Sequence, residues 1–353
     1  MKIIFVIKSL HSAGGTERIT TLVANELSKK GFDVGIVSIV NKNQPFFEIA
    51  ENVLVHYIAK RNKISFFDKL SRINRLKELF KIEQPDIIIQ AIAEKSFCVS
   101  FAARKYKLIT WEHFNLSFKS SITHFVSRFI AVKFSKAIVT LTKQDADNYK
   151  RLLNAKNVIT IPNPCTIVIS EKALLLSKNV IAIGRFQKQK GFDLLLKAWS
   201  KVQSKKDGWK LKIIGSGSRE KQLRSIINTF NLNESVELLP ATNDIISEYK
   251  QASIYVMSSR FEGLPLVLIE AMSMGIPIIS FDCDTGPRDI VQHNSTGILV
   301  PPLDVENLAL EIDNMINDES KRKLFSENAI KRSKVFEIEP IIRSWIDFFT
   351  ENK

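Results

Sequence analysis

The sequence predicts an α/β protein made of two doubly wound parallel sheets, each covered by helices. Three observations predict it. Apolar runs of strand length alternate with segments of helical period along the chain, the pattern of parallel strands joined by helical crossovers. The pattern halts at Ile161-Pro162-Asn163-Pro164 and starts afresh near residue 179. A chain of 353 residues also exceeds what one hydrophobic core usually supports, so two lobes of roughly 150 to 180 residues are expected.

In chain order, strands are expected at 2–7, 33–40, 86–90, 107–111, 137–141 and 157–161 in the first half. In the second half they are expected at 179–183, 210–214, 235–239, 253–257, 276–280 and 297–300. Pro162 and Pro164 each remove a donor and restrict the residue before them, so the hinge is placed there. The expected domains are 1–164 and 165–336. The last segment, 337–353, carries Trp345, Phe348 and Phe349 and is expected to pack back on the first lobe. The apolar run Ile3–Ile7 is too short for a secretory leader and reads as a buried first strand. No stretch approaches the roughly 20 apolar residues of a spanning helix. Cys98, Cys165 and Cys283 are too scattered for a disulfide framework or a metal cluster, which favours a reducing cytoplasm.

The net charge of +14 is unevenly spread. Residues 1–165 hold 26 Lys and Arg against 13 Asp and Glu, whereas residues 166–353 hold 25 against 24. Such asymmetry points to an anionic partner for the first half: lipid head groups, a pyrophosphate or nucleic acid. Segment 63–82 alternates Phe66, Leu70, Ile73 and Phe80 with Lys69, Arg72, Arg75 and Lys77, the make-up of an interfacial helix. A second such stretch holds Phe118, Phe125, Phe129, Arg128, Lys133 and Lys136. No recognised nucleic-acid motif is present.

Three segments carry chemistry. Ser12-Ala13-Gly14-Gly15-Thr16-Glu17-Arg18 follows the first strand and opens a helix, so its backbone can approach a ligand and its free N–H groups can meet a phosphate or sugar oxygen. It lacks the G-x-G-x-x-G of dinucleotide folds. Gly184-Arg185, with Lys190 five residues on, brings two cations to the carboxyl edge of the second sheet, where they suit a departing diphosphate. Arg260-Phe261-Glu262-Gly263-Leu264-Pro265-Leu266 leads to Glu270, which at 3.6 residues per turn is expected about two turns into a helix that starts at Gly263. Both carboxylates can then face one ligand and accept from vicinal hydroxyls, while helix-start amides take a phosphate oxygen.

These segments, in this order, resemble the retaining glycosyltransferases of family 4, which have the GT-B fold of two Rossmann-like domains facing across a cleft. The matches are Gly14-Gly15 with Glu17-Arg18, Glu112-His113, Gly184-Arg185 with Lys190, and Glu262 to Glu270 in Phe-Glu-Gly-Leu-Pro. Asn163-Pro164, Gly215-Ser216-Gly217 and Thr285-Gly286-Pro287 match more weakly. The resemblance implies an N-terminal acceptor-binding domain and a C-terminal nucleotide-sugar-binding domain. It implies donor contacts from Gly14, Gly15, Arg185, Lys190, Glu262, Gly263, Leu264, Pro265 and Glu270, with Arg185 and Lys190 on the diphosphate, Glu262 on the sugar hydroxyls and Glu270 on the ribose. His113, in Trp111-Glu112-His113-Phe114-Asn115, resembles the family's histidine near the donor sugar, and His113, Glu262, Arg185 and Lys190 are the implied catalytic set. Relatives usually carry Gly where Pro240 stands in the base-receiving loop, and Pro removes the backbone N–H that a base could meet there.

The implied reaction moves a hexose or N-acetylhexosamine from a UDP-sugar, without metal or cofactor, to a glycan acceptor carried on a polyprenyl diphosphate. It belongs to bacterial surface polysaccharide or glycoconjugate synthesis, lipopolysaccharide and capsule included, at the inner face of the cell membrane and without nucleic acid. Two other readings are a nucleotide-sugar epimerase of the same two-lobed fold and a basic nucleic-acid-binding protein.

Overall fold

The structure is a computed structural model and describes residues 1–40, 44–59, 66–91, 96–116, 122–167 and 171–351. The chain divides into two compact units: Met1–Asn163 with Glu339–Lys353, and Pro164–Ile338.

The first unit runs β1 (Lys2–Ile7), α1 (Gly15–Lys29), β2 (Asp33–Val40), β3 (Leu54–Ala59), α2 (Phe66–Glu83), β4 (Ile87–Gln90), α3 (Ser96–Ala102), β5 (Lys107–Trp111), α4 (Ile122–Phe134), β6 (Ala137–Thr140), α5 (Lys143–Leu153) and β7 (Val158–Thr160). Its strands form one sheet in the order β3-β2-β1-β4-β5-β6-β7, and every pairing is parallel. β1 lies in the middle, with Ile3 in register with Val34 on one side and Ile87 on the other. A central parallel strand buries both faces, which is why β1 is a continuous aliphatic and aromatic run rather than an alternating one.

The second unit continues with β8 (Asn179–Ile183), α6 (Phe192–Lys201), β9 (Lys210–Ile214), α7 (Glu220–Thr229), β10 (Val236–Leu239), α8 (Ile245–Lys250), β11 (Ile254–Met257), α9 (Leu266–Ser273), β12 (Ile278–Phe281), α10 (Pro287–Ile290), β13 (Gly297–Val300), α11 (Val305–Asn317) and α12 (Glu319–Ser333). Its parallel sheet has the order β10-β9-β8-β11-β12-β13, the first unit's winding repeated. Trp199, Leu211, Ile213, Phe281, Leu308 and Ile312 fill its core. Asp304 and Asp318 cap α11 and α12 by accepting from Asn307 N–H and Lys321 N–H. In each sheet the strand order reverses beside the first strand, between β1 and β4 and between β8 and β11. Open α/β sheets bind ligands at the carboxyl ends of such switch points.

β3 escapes the sequence reading. Leu54-Val55-His56-Tyr57-Ile58-Ala59 is short, interrupted by His and Tyr, and pairs only with β2 at the sheet edge, with Leu54 and Tyr57 exposed, so it lacks the apolar signature of its neighbours. The strand expected at 276–280 begins at Ile278, because Pro277 has no N–H for a ladder; its carbonyl accepts from Tyr255 N–H at 2.9 Å.

The two stretches expected to be interfacial differ. α2 turns Ile73, Leu76 and Phe80 into the core with Ile4, Val6 and Ile88, and Arg72 is buried too; only Leu70 of the expected face stays in water. Ile73 and Phe80 of that stretch are therefore core. α4 is the reverse: Arg128 points inward and is buried, while Ile122, Phe125, Val126 and Phe129 are exposed. Phe118 and the side chain of Phe66 lie outside the described residues.

The last helix, α13 (Ile338–Glu351), contributes Glu339 onward to the first unit. Trp345, Phe348 and Phe349 are buried there; the Trp345 ring stands 4.9 Å from Trp111 and Phe349 lies 6.2 Å from Phe32. Among the described residues no helix is long and apolar enough to cross a membrane.

Candidate active site

The second unit gathers its polar groups at the β8/β11 switch point. Ile183 ends β8, and Gly184 and Arg185 follow directly. The chain then makes a single 3-10 turn, Lys188–Lys190, and enters α6 through Gly191. Gly191 has φ +66°, and a Cβ there would fall 1.9 Å from the Ser258 carbonyl oxygen, so the turn can pass β11 only as glycine. Arg260 and Asp193 fasten the same two segments with two hydrogen bonds of 2.8 and 2.7 Å, and Arg219 adds a contact of 3.6 Å to Asp193. These hydrogen bonds and Arg219 hold the Asp193 carboxyl below its ordinary range against the opposing effect of burial.

This brace delivers Lys190. Its stem crosses Gly184, where a side chain would press on it at 3.1 Å, and its Nζ donates to Glu262 Oε1 at 2.7 Å. Glu262 is 7% exposed and is also reached by Gln189 Nε2 at 3.4 Å. Thr285 Oγ1 donates to the Glu262 carbonyl at 2.6 Å, so the Thr-Gly-Pro turn supports the Glu262 loop. Arg185 is exposed and forms no ion pair among the described residues. It is an uncommitted cation at this strand end.

Glu270 stands five residues into α9, which starts at Leu266, with Pro265 as its N-cap residue. The expectation of a helix from Gly263 with Glu270 two turns in is corrected: Pro265 keeps an extended conformation (ψ 102°), so Glu262–Leu264 form a loop and only Glu270 is helical. Both Glu270 oxygens are engaged, Oε1 by Thr166 Oγ1 at 2.5 Å and Oε2 by the Tyr249 hydroxyl at 2.9 Å. Burial and the Glu270 charge push the Tyr249 phenol far up, so it stays a donor. Burial raises Tyr255 as well, and both Glu262 and Glu270 add to the rise, which puts one buried phenol within the field of both carboxylates. The loop from Pro240 to Asn243 after β10 is exposed.

In the first unit, Gly14 is the N-cap residue of α1 and Gly15 its first residue. Glu17, in the first turn, folds back over Gly14 and accepts from Ser12 Oγ at 2.5 Å. A carboxylate thus already lies at this helix start. His113 follows β5. Its ring packs on Trp111 at 4.4 Å, Nε2 is sealed from water with no partner among the described residues, and burial drives its pKa down to about 3. The imidazole is neutral. The adjacent Glu112, 1% exposed, takes the Phe114 N–H at 3.0 Å, Arg128 Nε at 2.9 Å and the Tyr149 hydroxyl. Asp145 holds Leu116 N–H at 2.9 Å. Sequence reasoning missed Arg128, Tyr149, Asp145, Thr166, Tyr249 and Asp193, because each acts through tertiary contact and none sits in a motif. The exception is Asp145, whose spacing after Thr142 marks a helix N-terminus.

Two family models cover most of the chain: "Glycosyltransferase Family 4" matches residues 13–167 and "Glycosyl transferases group 1" matches residues 171–332. An uncharacterised glycosyltransferase of Haemophilus influenzae is 34% identical over 348 residues, 98% of each chain. An alpha-1,4-N-acetyl-D-galactosaminyltransferase of Campylobacter jejuni, named for a substrate built on PP-undecaprenol, is 29% identical over 100% of this chain and 99% of its own. The solved lipopolysaccharide outer core galactosyltransferase WaaB superposes with a TM-score of 0.83 at 20% identity over 100% of both chains. With two parallel-sheet units of the same winding, matched by these family models and this relative, the chain belongs to the family 4 glycosyltransferases of the GT-B fold.

Proposed function

We propose that this enzyme moves a hexose or N-acetylhexosamine from a UDP-sugar to a polyprenyl-diphosphate-linked glycan, with retention at the anomeric carbon, at the inner face of the cell membrane. The observation that carries the reading is the set at the β8/β11 edge: Arg185 uncommitted, Lys190 on Glu262, and Glu270 held by Thr166 and Tyr249. A lysine on a buried carboxylate, with an exposed arginine at the same strand end, suits a donor that presents a diphosphate and sugar hydroxyls to one edge. In the reaction the bond from the anomeric carbon to the diphosphate oxygen breaks with its electrons leaving on oxygen. The acceptor oxygen bonds to that carbon on the same face, and its proton goes to the departing diphosphate. Arg185 and Lys190 stabilise the leaving charge in place of a metal ion. His113 is neutral, so any contact its imidazole makes is a hydrogen bond and not an ion pair. The acceptor class rests on the Campylobacter relative's name and on the basic first half.

The test is a donor panel by thermal shift, UDP-, GDP- and ADP-sugars each, then transfer to a synthetic polyprenyl-diphosphate disaccharide with the product's anomeric coupling read by NMR. The expected result is a UDP-sugar shift and an α-linked product. Interconversion of the donor sugar without any acceptor would instead make the protein an epimerase.

A further inference from the structure

The carboxyl edge of the first sheet carries two aromatic pairs, His11 with Tyr57 and Phe46 with Phe47, linked through the backbone. After β2 the chain folds back across the turn that follows β1. Phe46 N–H donates to the Leu10 carbonyl at 2.8 Å, and His11 Nδ1 lies 3.1 Å from the Gln44 carbonyl. Asn25 of α1 grips the far end of the same loop twice, donating to the Glu48 carbonyl and accepting from Ala50 N–H, each at 3.0 Å. Pro45 stiffens the middle. These bonds hold two rings in water: Phe46 is 58% exposed and Tyr57, on β3, is 38% exposed. Tyr57 stacks with His11, ring centroids 6.3 Å apart and planes 9° from parallel, and Phe46 sets edge-on against Phe47 at 5.0 Å.

We infer that His11, Phe46 and Tyr57 form a saccharide subsite beside the Gly14-Gly15 turn, which takes the apolar face of a pyranose ring of the acceptor. The chemistry selects this occupant. A pyranose offers a face of C–H groups rimmed by hydroxyls, and the two pairs offer ring faces rimmed by polar groups: the Tyr57 hydroxyl, the His11 imidazole and the exposed Gln44 and Ser12. A lipid tail or an apolar helix would waste those groups. The backbone that carries Phe46 is fixed in advance by the Asn25 and Leu10 contacts, and Tyr57 by its stack on His11, so binding costs less ordering. Position selects it as well, since His11 stands three residues before Gly14 at the edge where open sheets receive ligands. The inference rests on the glycan acceptor proposed above.

The experiment uses the full chain and Phe46→Ala, Tyr57→Ala and the double variant, in two arms. In the first, saturation-transfer NMR is recorded with methyl α-glycosides of N-acetylgalactosamine, galactose and glucose. At least one should receive saturation on its ring C–H protons from the wild type and lose it in the double variant; no transfer from the wild type to any of them overturns the subsite. In the second, acceptor KM should rise about 10-fold in each single variant with donor KM unchanged, the scale of one lost aromatic contact. An acceptor KM within 2-fold of wild type overturns the subsite and leaves the glycosyltransferase reading standing. Loss of vesicle binding in these variants with saccharide contact intact overturns it also, by showing a lipid surface. Wild-type NMR contact that the double variant loses, in a protein that transfers sugar from no donor, supports the subsite and sinks the reaction proposed above. Both positions are exposed, so unchanged melting temperatures are expected.

Discussion

Lys190 Nζ donates to Glu262 Oε1 at 2.7 Å across a gap of 72 residues, and the pair is nearly closed to solvent. A lysine committed to a buried carboxylate is held at one spot, so a diphosphate arriving at this edge meets a fixed cation. Lys190→Ala leaves Glu262 without its closest counter-charge and removes the group proposed above to neutralise the leaving oxygen. Turnover should fall by about 100-fold or more, with donor affinity also reduced. Glu262→Gln should cost less in binding but change the preference among epimeric donors. Steady-state kinetics with matched UDP-glucose and UDP-galactose check both; a Lys190→Ala enzyme within 3-fold of wild type would remove this lysine from the mechanism.

Glu270 makes a second prediction, with opposite signs for its two partners. The Tyr249 hydroxyl fixes one oxygen from a wholly buried ring, whereas Thr166 sits on the other oxygen, where a ribose hydroxyl would come. Tyr249→Phe should weaken UDP binding about 10-fold or more, the scale of one hydrogen bond to a charged acceptor. Thr166→Val removes a competitor and should tighten it. Calorimetry with UDP reads both, and equal effects of one sign would refute the assignment of Glu270 to the ribose.

The doubly wound sheets were legible because buried parallel strands are written as aliphatic runs, and β1, with Ile3 to Ile7 all buried, is the plainest case. β3 was not, since an edge strand with one partner needs no such run. At the site, residues placed by chain-local geometry could be read: Gly184, Arg185 and Lys190 follow a strand end, and Glu262 precedes a helix. Whatever acts across the fold was hidden. Arg128 looked like part of a basic interfacial face, yet its guanidinium is spent on Glu112 inside the unit. Nothing local distinguishes an arginine turned inward from one in water.

Acid titration gives a third prediction. An unfolded chain protonates its imidazoles near pH 6.5, whereas folded His113 stays neutral down to about 3. Between those values the unfolded state binds the extra proton, so this residue lowers stability as pH falls. Asp145 acts oppositely. Burial, helped by Glu112, lifts its carboxyl from 3.8 to about 7, so the folded state keeps a proton the unfolded state releases, and that contribution is lost as pH rises through 7. His113→Gln should flatten the decline in melting temperature between pH 6.5 and 4. Asp145→Asn, which still accepts from Leu116 N–H, should raise the melting temperature by roughly 3 °C or more at pH 8 and leave it unchanged at pH 4. Identical pH profiles for wild type and variants would refute both protonation states.

The outward face of α4 supplies the last prediction. Ile122, Phe125, Val126 and Phe129 recur at helical spacing and stay exposed, while Arg128 is locked inward on Glu112, so the helix cannot roll to hide them. Lys133 continues the stripe at its C-terminal end and Lys136 follows, both exposed. An apolar stripe with lysines at its end matches an anionic bilayer surface, into which phenylalanines insert while ammonium groups meet phosphates. Wild-type protein should float with phosphatidylglycerol vesicles at physiological salt. Phe125→Ser with Phe129→Ser should cut the bound fraction's partition coefficient by about 10-fold or more without lowering the melting temperature, since neither ring is in the core. Lys133→Ser with Lys136→Ser should weaken binding less and reduce its salt dependence. Flotation that survives loss of both phenylalanines would move the contact away from α4, and no flotation of the wild type would detach the enzyme from the membrane altogether.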